Sequence, residues 1–181
     1  MLKLYKPINF PFIDVIASET LKLMNNVNDG RLSIREIPFS DKVMDDINSY
    51  LNLRGVSNLR SKLSFKRLGG VQSHTDCHVD GTSNITYNCS LVIPVYGCKN
   101  TYQYWYNGDY TLKFWGEPER GVVLWNSLPN YLDKIEIYDS SMLCRVNIPH
   151  SAVGKDNEYR ITCTLRFQEN ETFEYLYEHL K

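Results

Sequence analysis

Long apolar runs are missing from this sequence. No stretch reaches the roughly 20 residues that a bilayer-spanning helix needs, so a membrane protein of that kind is not expected. The first fourteen residues carry Pro7, Pro11 and Asp14 without an uninterrupted apolar core, which does not read as a secretory signal. Cysteine is present but unpaired in pattern. The five at 77, 89, 98, 144 and 163 are an odd number with no short paired spacing, which excludes a zinc ribbon or a disulfide scaffold. Reduced thiols in a cytoplasmic protein are the expectation. Without a secretion signal, the Asn-x-Ser/Thr matches at 84, 88 and 170 are chance. A formal net charge of −1 argues against a nucleic-acid-coating protein. Internal repeats and low-complexity tracts are also lacking.

What is present fits one folded domain of 181 residues, long enough to bury a core. Thirteen Tyr and three Trp favour strands, because aromatic rings suit a half-buried pleated surface. Between Asp46 and Asp76 there is no acidic residue, yet Arg54, Arg60, Lys62, Lys66 and Arg67 lie there. This run reads first as a solvated face, and second as a rim facing an anionic substrate.

Residues 1–61 read as helical support. Phe12, Val15, Ile16, Thr20 and Leu23 share a helical face. A second helix starts after Ser40 or Asp41 and buries Val43, Ile47, Tyr50 and Leu51. From 62 to 168 the period changes to two. Strands are expected over 63–68, 71–78, 88–95, 101–106, 110–115, 122–125, 134–138, 142–148 and 160–167. Asn107-Gly108, between aromatic runs, is the clearest hairpin signal. A closing helix in 169–181 shows Phe173, Leu176, Tyr177 and Leu180 as its apolar stripe. Short strands with helices gathered at the N-terminal side predict a mainly β jelly roll with flanking helices. The Cys and Trp positions do not suit an immunoglobulin-like sandwich.

Histidine is scarce, and three of the four fall in two places. His74-Thr75-Asp76-Cys77-His78-Val79-Asp80 holds two overlapping His-x-Asp units, and Pro149-His150 is followed ten positions later by Arg160. In one strand His74, Asp76, His78 and Asp80 share a face, and four ionisable groups there need a metal or partner. Two His and one carboxylate leave half of a metal's positions open, which suits Fe(II) with a cosubstrate and O2. His78 and Asp80 are the preferred pair because Asp80 precedes Gly81, where the strand must end. His74 and Asp76 are the alternative pair. Met142, Cys144, Val146, Ile148 and His150 share one parity, so His150 continues an apolar row into the interior. The bland reading of His150 alone is a core imidazole bonded to a carbonyl. Arg160, Thr162, Thr164 and Arg166 also share a face and can grip a carboxylate, but parity does not decide whether that face is interior.

His78-x-Asp80, His150 and Arg160-x-Thr162 together resemble the Fe(II)/2-oxoglutarate-dependent oxygenases, especially small stand-alone bacterial and phage members. Asn88–Val95, Pro149–Val153 and Arg160–Phe167 carry the likeness further. The resemblance spans roughly residues 62 to 168, with the doubled His-x-Asp as a departure. It implies a double-stranded β-helix core of the cupin-like class within a single oxygenase domain. It implies further that His78, Asp80 and His150 hold Fe(II) while Arg160 and Thr162 hold 2-oxoglutarate. Arg166 would assist either carboxylate, and Tyr102, Tyr104 and Tyr106 either offer a phenol to the cosubstrate or simply pack the sheet. The implied reaction is hydroxylation of a C–H bond in an unidentified substrate, with a peptide or protein residue favoured over a free small molecule or a nucleobase. Two other readings stay open: a cupin-type metal enzyme that uses no 2-oxo acid, and a non-catalytic jelly-roll binding module.

Overall fold

The computed structural model describes residues 2–25, 32–34, 36–68, 77–114, 120–154 and 159–180; the side chains of 25, 32–34 and 66–68 also lie outside the description. In chain order the elements are β1 (Tyr5–Ile8), α1 (Ile13–Asn25), β2 (Leu32–Ile34), α2 (Asp41–Asn52), β3 (Ser61–Leu68) and β4 (His78–Asp80). They continue as β5 (Cys89–Tyr96), β6 (Tyr102–Asn107), β7 (Tyr110–Phe114), β8 (Arg120–Trp125) and β9 (Asn130–Glu136). The last are β10 (Ser141–Arg145), β11 (His150–Val153), β12 (Tyr159–Arg166) and α3 (Phe173–His179). One sheet runs β1-β10-β5-β12-β3-β2 and the other β7-β8-β4-β11-β6-β9. Every pairing between these strands is antiparallel. Two facing antiparallel sheets of this order form the expected double-stranded β-helix. Among the described residues no helix is long and apolar enough to cross a membrane.

The helices cover the first sheet. Ile16 of α1, Val43, Ile47 and Leu51 of α2, and Phe173 and Leu176 of α3 pack with Leu91, Leu143, Cys163 and Leu165 from its outer face. The α1 stripe differs slightly from the expected one: Ile16, Thr20 and Met24 are buried while Val15 is exposed. Ser40 precedes α2 without a side-chain cap. Its N–H and hydroxyl donate instead to the Glu19 carboxylate at 3.1 and 3.0 Å, tying α2 to α1. Thr172 does cap α3, accepting from the Tyr175 N–H at 3.1 Å. A second core lies between the sheets and includes Tyr87, Trp105, Met142, Cys144 and Val146. Leu143 faces the helices and its neighbours Met142 and Cys144 face inward, as the period-two reading requires.

Several expectations need correction. The first 61 residues are not only helical, because β1 and β2 form the edges of the first sheet. Pro7 in β1 is tolerated at an edge, where a missing N–H is harmless. The strand expected over 71–78 falls mostly outside the described residues, and the one expected over 134–138 runs over Asn130–Glu136. Asn107-Gly108 does not make a hairpin. β6 pairs with β9 and β11, whereas β7 pairs with β8. A type I′ hairpin turn needs positive φ at both central residues, and neither Asn107 nor Gly108 has it. Strands β6 and β7 are instead one arm of a long ribbon whose other arm is β8 and β9. Both arms bend together, held by the Asn126 N–H donating to the Asp109 carbonyl at 3.0 Å. Glycine suits the bend because a Cβ at Gly108 would stand 3.1 Å from the Trp125 ring.

The expected strand over 142–148 also breaks. β10 ends at Arg145, the chain crosses between sheets, and β11 begins at His150 in the opposite sheet. Trp105 pins this crossover. It is fully buried, pairs in register with His150, and its indole N–H donates to the Arg145 carbonyl at 2.8 Å. Trp105→Phe should destabilise by about 1–3 kcal/mol, since it orphans a buried carbonyl. Trp105→Ala should cost about 3–5 kcal/mol through the cavity it leaves. Denaturant melts of the two variants against wild type would measure both.

Candidate metal centre

The crossover sets the site. β11 lies beside β4 with His150 directly opposite His78, so two imidazoles from distant parts of the chain meet with ring centroids 4.4 Å apart. Asp80 lies two residues beyond His78, on the same face of β4. Its N–H donates to the Val146 carbonyl at 3.0 Å, and its own carbonyl accepts from the Tyr87 N–H at 3.2 Å. β4 stops there, as expected from Gly81. That residue has φ +147°, and a Cβ on it would stand 2.2 Å from the Ile85 carbonyl oxygen.

His78, Asp80 and His150 each offer one ligand atom, and all three atoms lie within 4.8 Å of one another. Asp80 Oδ1 is 3.6 Å from His78 Nε2 and 3.9 Å from His150 Nε2. His150 Nδ1 lies 2.9 Å from the Ile148 carbonyl and donates to it, which leaves Nε2 with the free lone pair that a metal needs. Burial is the main force lowering the His150 pKa, although Asp80 and the Ile148 carbonyl oppose it. For Asp80 burial pushes upward, but Arg166 and the two imidazoles outweigh it and hold the carboxyl below its ordinary value. A neutral imidazole and an ionised carboxylate are the forms that coordinate a divalent cation. Two nitrogens and one oxygen on one side, with no thiolate, fit Fe(II) with open positions better than a closed zinc site.

The alternative pair, His74 and Asp76, lies outside the described residues. The structure brings Arg160, Thr162, Thr164 and Arg166 to the same cavity as the three metal-competent groups. Both faces of β12 are therefore buried, with Cys163 and Leu165 toward the helices and the Arg/Thr face toward the cavity. Arg166, expected to assist a carboxylate of the cosubstrate, has a carboxylate partner within the protein. Its Nη2 is 3.0 Å from Asp80 Oδ2 and its guanidinium lies over the Tyr87 ring, so it orients the metal-side carboxylate. Arg160 is 7% exposed, and its only polar contact among the described residues is a 3.5 Å approach to the Ala152 carbonyl. No carboxylate meets it there.

The cavity has a volume of about 80 Å³, where a water takes roughly 10–15 Å³. Phe65, Val92, Ile137, Val146 and Ala152 form its apolar walls. Gln103 and Arg120 are among the lining residues not anticipated. Gln103 is 5% exposed, and its amide has no hydrogen-bond partner among the described residues. Its signal was available: it alternates with Tyr102, Tyr104 and Tyr106, which stack on the outer face of β6 rather than facing the cavity. The packing reading of those tyrosines is the one that fits. Arg120 left no such signal, because its place depends on the pairing of β8 with β4. Of the basic run in 54–67, Arg54 covers the Tyr50 ring and Lys62 pairs with Glu36 at 3.3 Å. Neither borders the cavity.

Solved structures share this fold. A prolyl-4-hydroxylase from Pseudomonas putida matches with a TM-score of 0.53 over 92% of this chain and 92% of its own, at 9% identity. E. coli ycfD matches with a TM-score of 0.47 over 85% of this chain and 38% of its own, at 10% identity. At such identity the first likeness bears out the double-stranded β-helix and nothing finer. No family model matches the sequence, and neither does any curated protein.

Metal content should separate the two His-x-Asp registers. His78→Ala and His150→Ala should each abolish stoichiometric Fe(II) or Mn(II) binding, whereas His74→Ala should keep most of it. The reverse pattern for His74→Ala and His78→Ala would assign the metal to His74. A second expectation concerns Arg166→Gln, which leaves Asp80 buried without its cation. The metal-free variant should lose about 3–5 kcal/mol in denaturant melts. Saturating Mn(II) should recover part of that loss by supplying the carboxylate with another positive partner.

Proposed function

We propose that this chain is a non-haem Fe(II)- and 2-oxoglutarate-dependent oxygenase that hydroxylates a C–H bond. The observation carrying this reading is Arg160, a buried guanidinium without an acidic partner among the described residues, on the cavity that holds His78, Asp80 and His150. A buried cation left alone is unfavourable by several kcal/mol, so a site that keeps one is built for an anion. Burial is also what draws the Arg160 pKa below its usual range, and a bound carboxylate would reverse that. A cupin that uses no 2-oxo acid accounts for the metal-competent groups and leaves Arg160 idle. A binding module accounts for neither.

On this reading His78, Asp80 and His150 hold Fe(II) from one side and leave the other side for ligands. When bound, the iron and 2-oxoglutarate supply the oxidising power: O2 is consumed as the 2-oxo acid loses CO2 to become succinate, and one oxygen atom enters the substrate C–H bond. Arg160 grips the far carboxylate with its planar fork, and the Thr162 hydroxyl beside it donates a further hydrogen bond. Gln103 offers amide N–H groups to the same wall. Phe65, Val92, Ile137 and Val146 keep water from the reacting atoms. Arg166 keeps Asp80 ionised and fixed in direction. Residues 1–61, 62–168 and 169–181 act together as one oxygenase domain, the outer segments supporting the first sheet.

Purified, iron-loaded protein should convert 2-oxoglutarate to succinate slowly without substrate and faster with it. Arg160→Ala should weaken 2-oxoglutarate binding by about 2–5 kcal/mol while sparing the metal. Arg160→Lys should restore only part, because an ammonium lacks the planar fork. Calorimetric titration of 2-oxoglutarate into the Mn(II)-loaded proteins measures this. Equal affinity in wild type and Arg160→Ala would sink the assignment.

A further inference from the structure

Arg120 opens β8 directly opposite Asp80 and lines the cavity, half-buried. The register would let it pair with Asp80, but that carboxylate is held by Arg166 from the other sheet. Among the described residues Arg120 makes neither an ion pair nor a hydrogen bond.

A guanidinium facing a cation-binding site opposes the cation. Neither the metal nor its ligands therefore account for Arg120. The cavity lining holds three guanidinium groups against one carboxylate, a net charge of +2 with both imidazoles neutral. Arg166 is matched by Asp80. On the function proposed above, on which this inference rests, Arg160 takes one carboxylate of 2-oxoglutarate and the divalent metal takes the other. That leaves the half-buried Arg120 with no partner from the described residues, the metal or the cosubstrate.

We propose that Arg120 is a specificity-determining residue that receives a carboxylate carried by the substrate. The substrate is then a small carboxylic acid or a peptide segment with an acidic group near the C–H bond attacked. The Arg fork suits carboxylate and phosphate alike in geometry, but a single guanidinium balances the one charge of a carboxylate and leaves a phosphate dianion with negative charge unmatched.

Acetate and acetamide are the probes, titrated by thermal shift into protein loaded with Mn(II) and saturated with 2-oxoglutarate, so that the other anion positions are filled. Wild type should be stabilised saturably by acetate and not by acetamide. Arg120→Gln should need at least tenfold more acetate, and Arg120→Lys should fall between. An equal acetate response in wild type and Arg120→Gln would overturn the proposal, as would equal action of acetamide. So would a change confined to Mn(II) affinity, which would make Arg120 a support for Asp80. If 2-oxoglutarate fails to bind wild type, the oxygenase reading fails, and the same acetate comparison on Mn(II)-loaded protein alone still decides Arg120. Stimulation of 2-oxoglutarate turnover by free amino acids, or only by blocked peptides containing Asp or Glu, then tells the two carboxylate sources apart.

Discussion

One ion pair, Arg166 with Asp80, joins the two sheets at the point where all else in the site converges. Arg166 belongs to β12 in the first sheet and Asp80 to β4 in the second, with side chains 3% and 8% exposed. Removing both charges from water is costly, and their attraction offsets that only with good geometry and further contacts. Those contacts are present: Tyr87 lies under the guanidinium, and the Asp80 backbone is bonded to Val146 and Tyr87. The pair thereby fixes the spacing between sheets and keeps an ionised oxygen beside two imidazoles. Arg166 Nη2 meets Oδ2, while Oδ1 lies 3.6 Å from His78 Nε2 and 3.9 Å from His150 Nε2.

The second constraint is the change of sheet between β10 and β11. If the strand simply continued past Arg145, His150 would run on in the first sheet, away from His78. The crossover at 146–149 delivers it beside β4 instead, and three interactions hold the turn: Trp105 on the Arg145 carbonyl, the Asp80 N–H on the Val146 carbonyl, and the Tyr106 N–H on the Pro149 carbonyl. The imidazole is then locked by the Ile148 carbonyl, two residues back within the same crossover. The segment that moves His150 between sheets thus also selects its tautomer.

Much of this was legible from period and punctuation. Alternation gave the core strands, and Gly81 marked the end of β4 because the next backbone leaves no room for a Cβ. His150 was rightly expected in the interior, yet for an incomplete reason. Parity describes a single strand and carries no information about a switch of sheet. Asn107-Gly108 misled for a related cause: its residues favour any sharp change of direction, and only the partners of β6 and β7 distinguish a bend from a hairpin. β12 was undecidable because both its faces are buried, one by helices and one by the cavity. Arg120 and the contact of Arg166 with Asp80 stayed hidden because both follow from pairing across strands far apart in sequence.

The excess of positive charge in the cavity has a consequence for the order in which ligands are held. Arg120 and Arg160 repel a divalent metal through a low-dielectric interior, where such forces are screened little. Among the described residues the one carboxylate lining the cavity, Asp80, is already shared with Arg166. Metal alone therefore binds against a positive field, and a dicarboxylate that reaches Arg160 removes much of that opposition. Coupling of this kind is reciprocal, so the metal must tighten the dicarboxylate by the same factor as the dicarboxylate tightens the metal. With those two in place the field that remains is centred on Arg120, at the open side of the site. On the proposed function, an anionic substrate would then be drawn to Arg120, the lining guanidinium whose charge is still unmatched among the described residues.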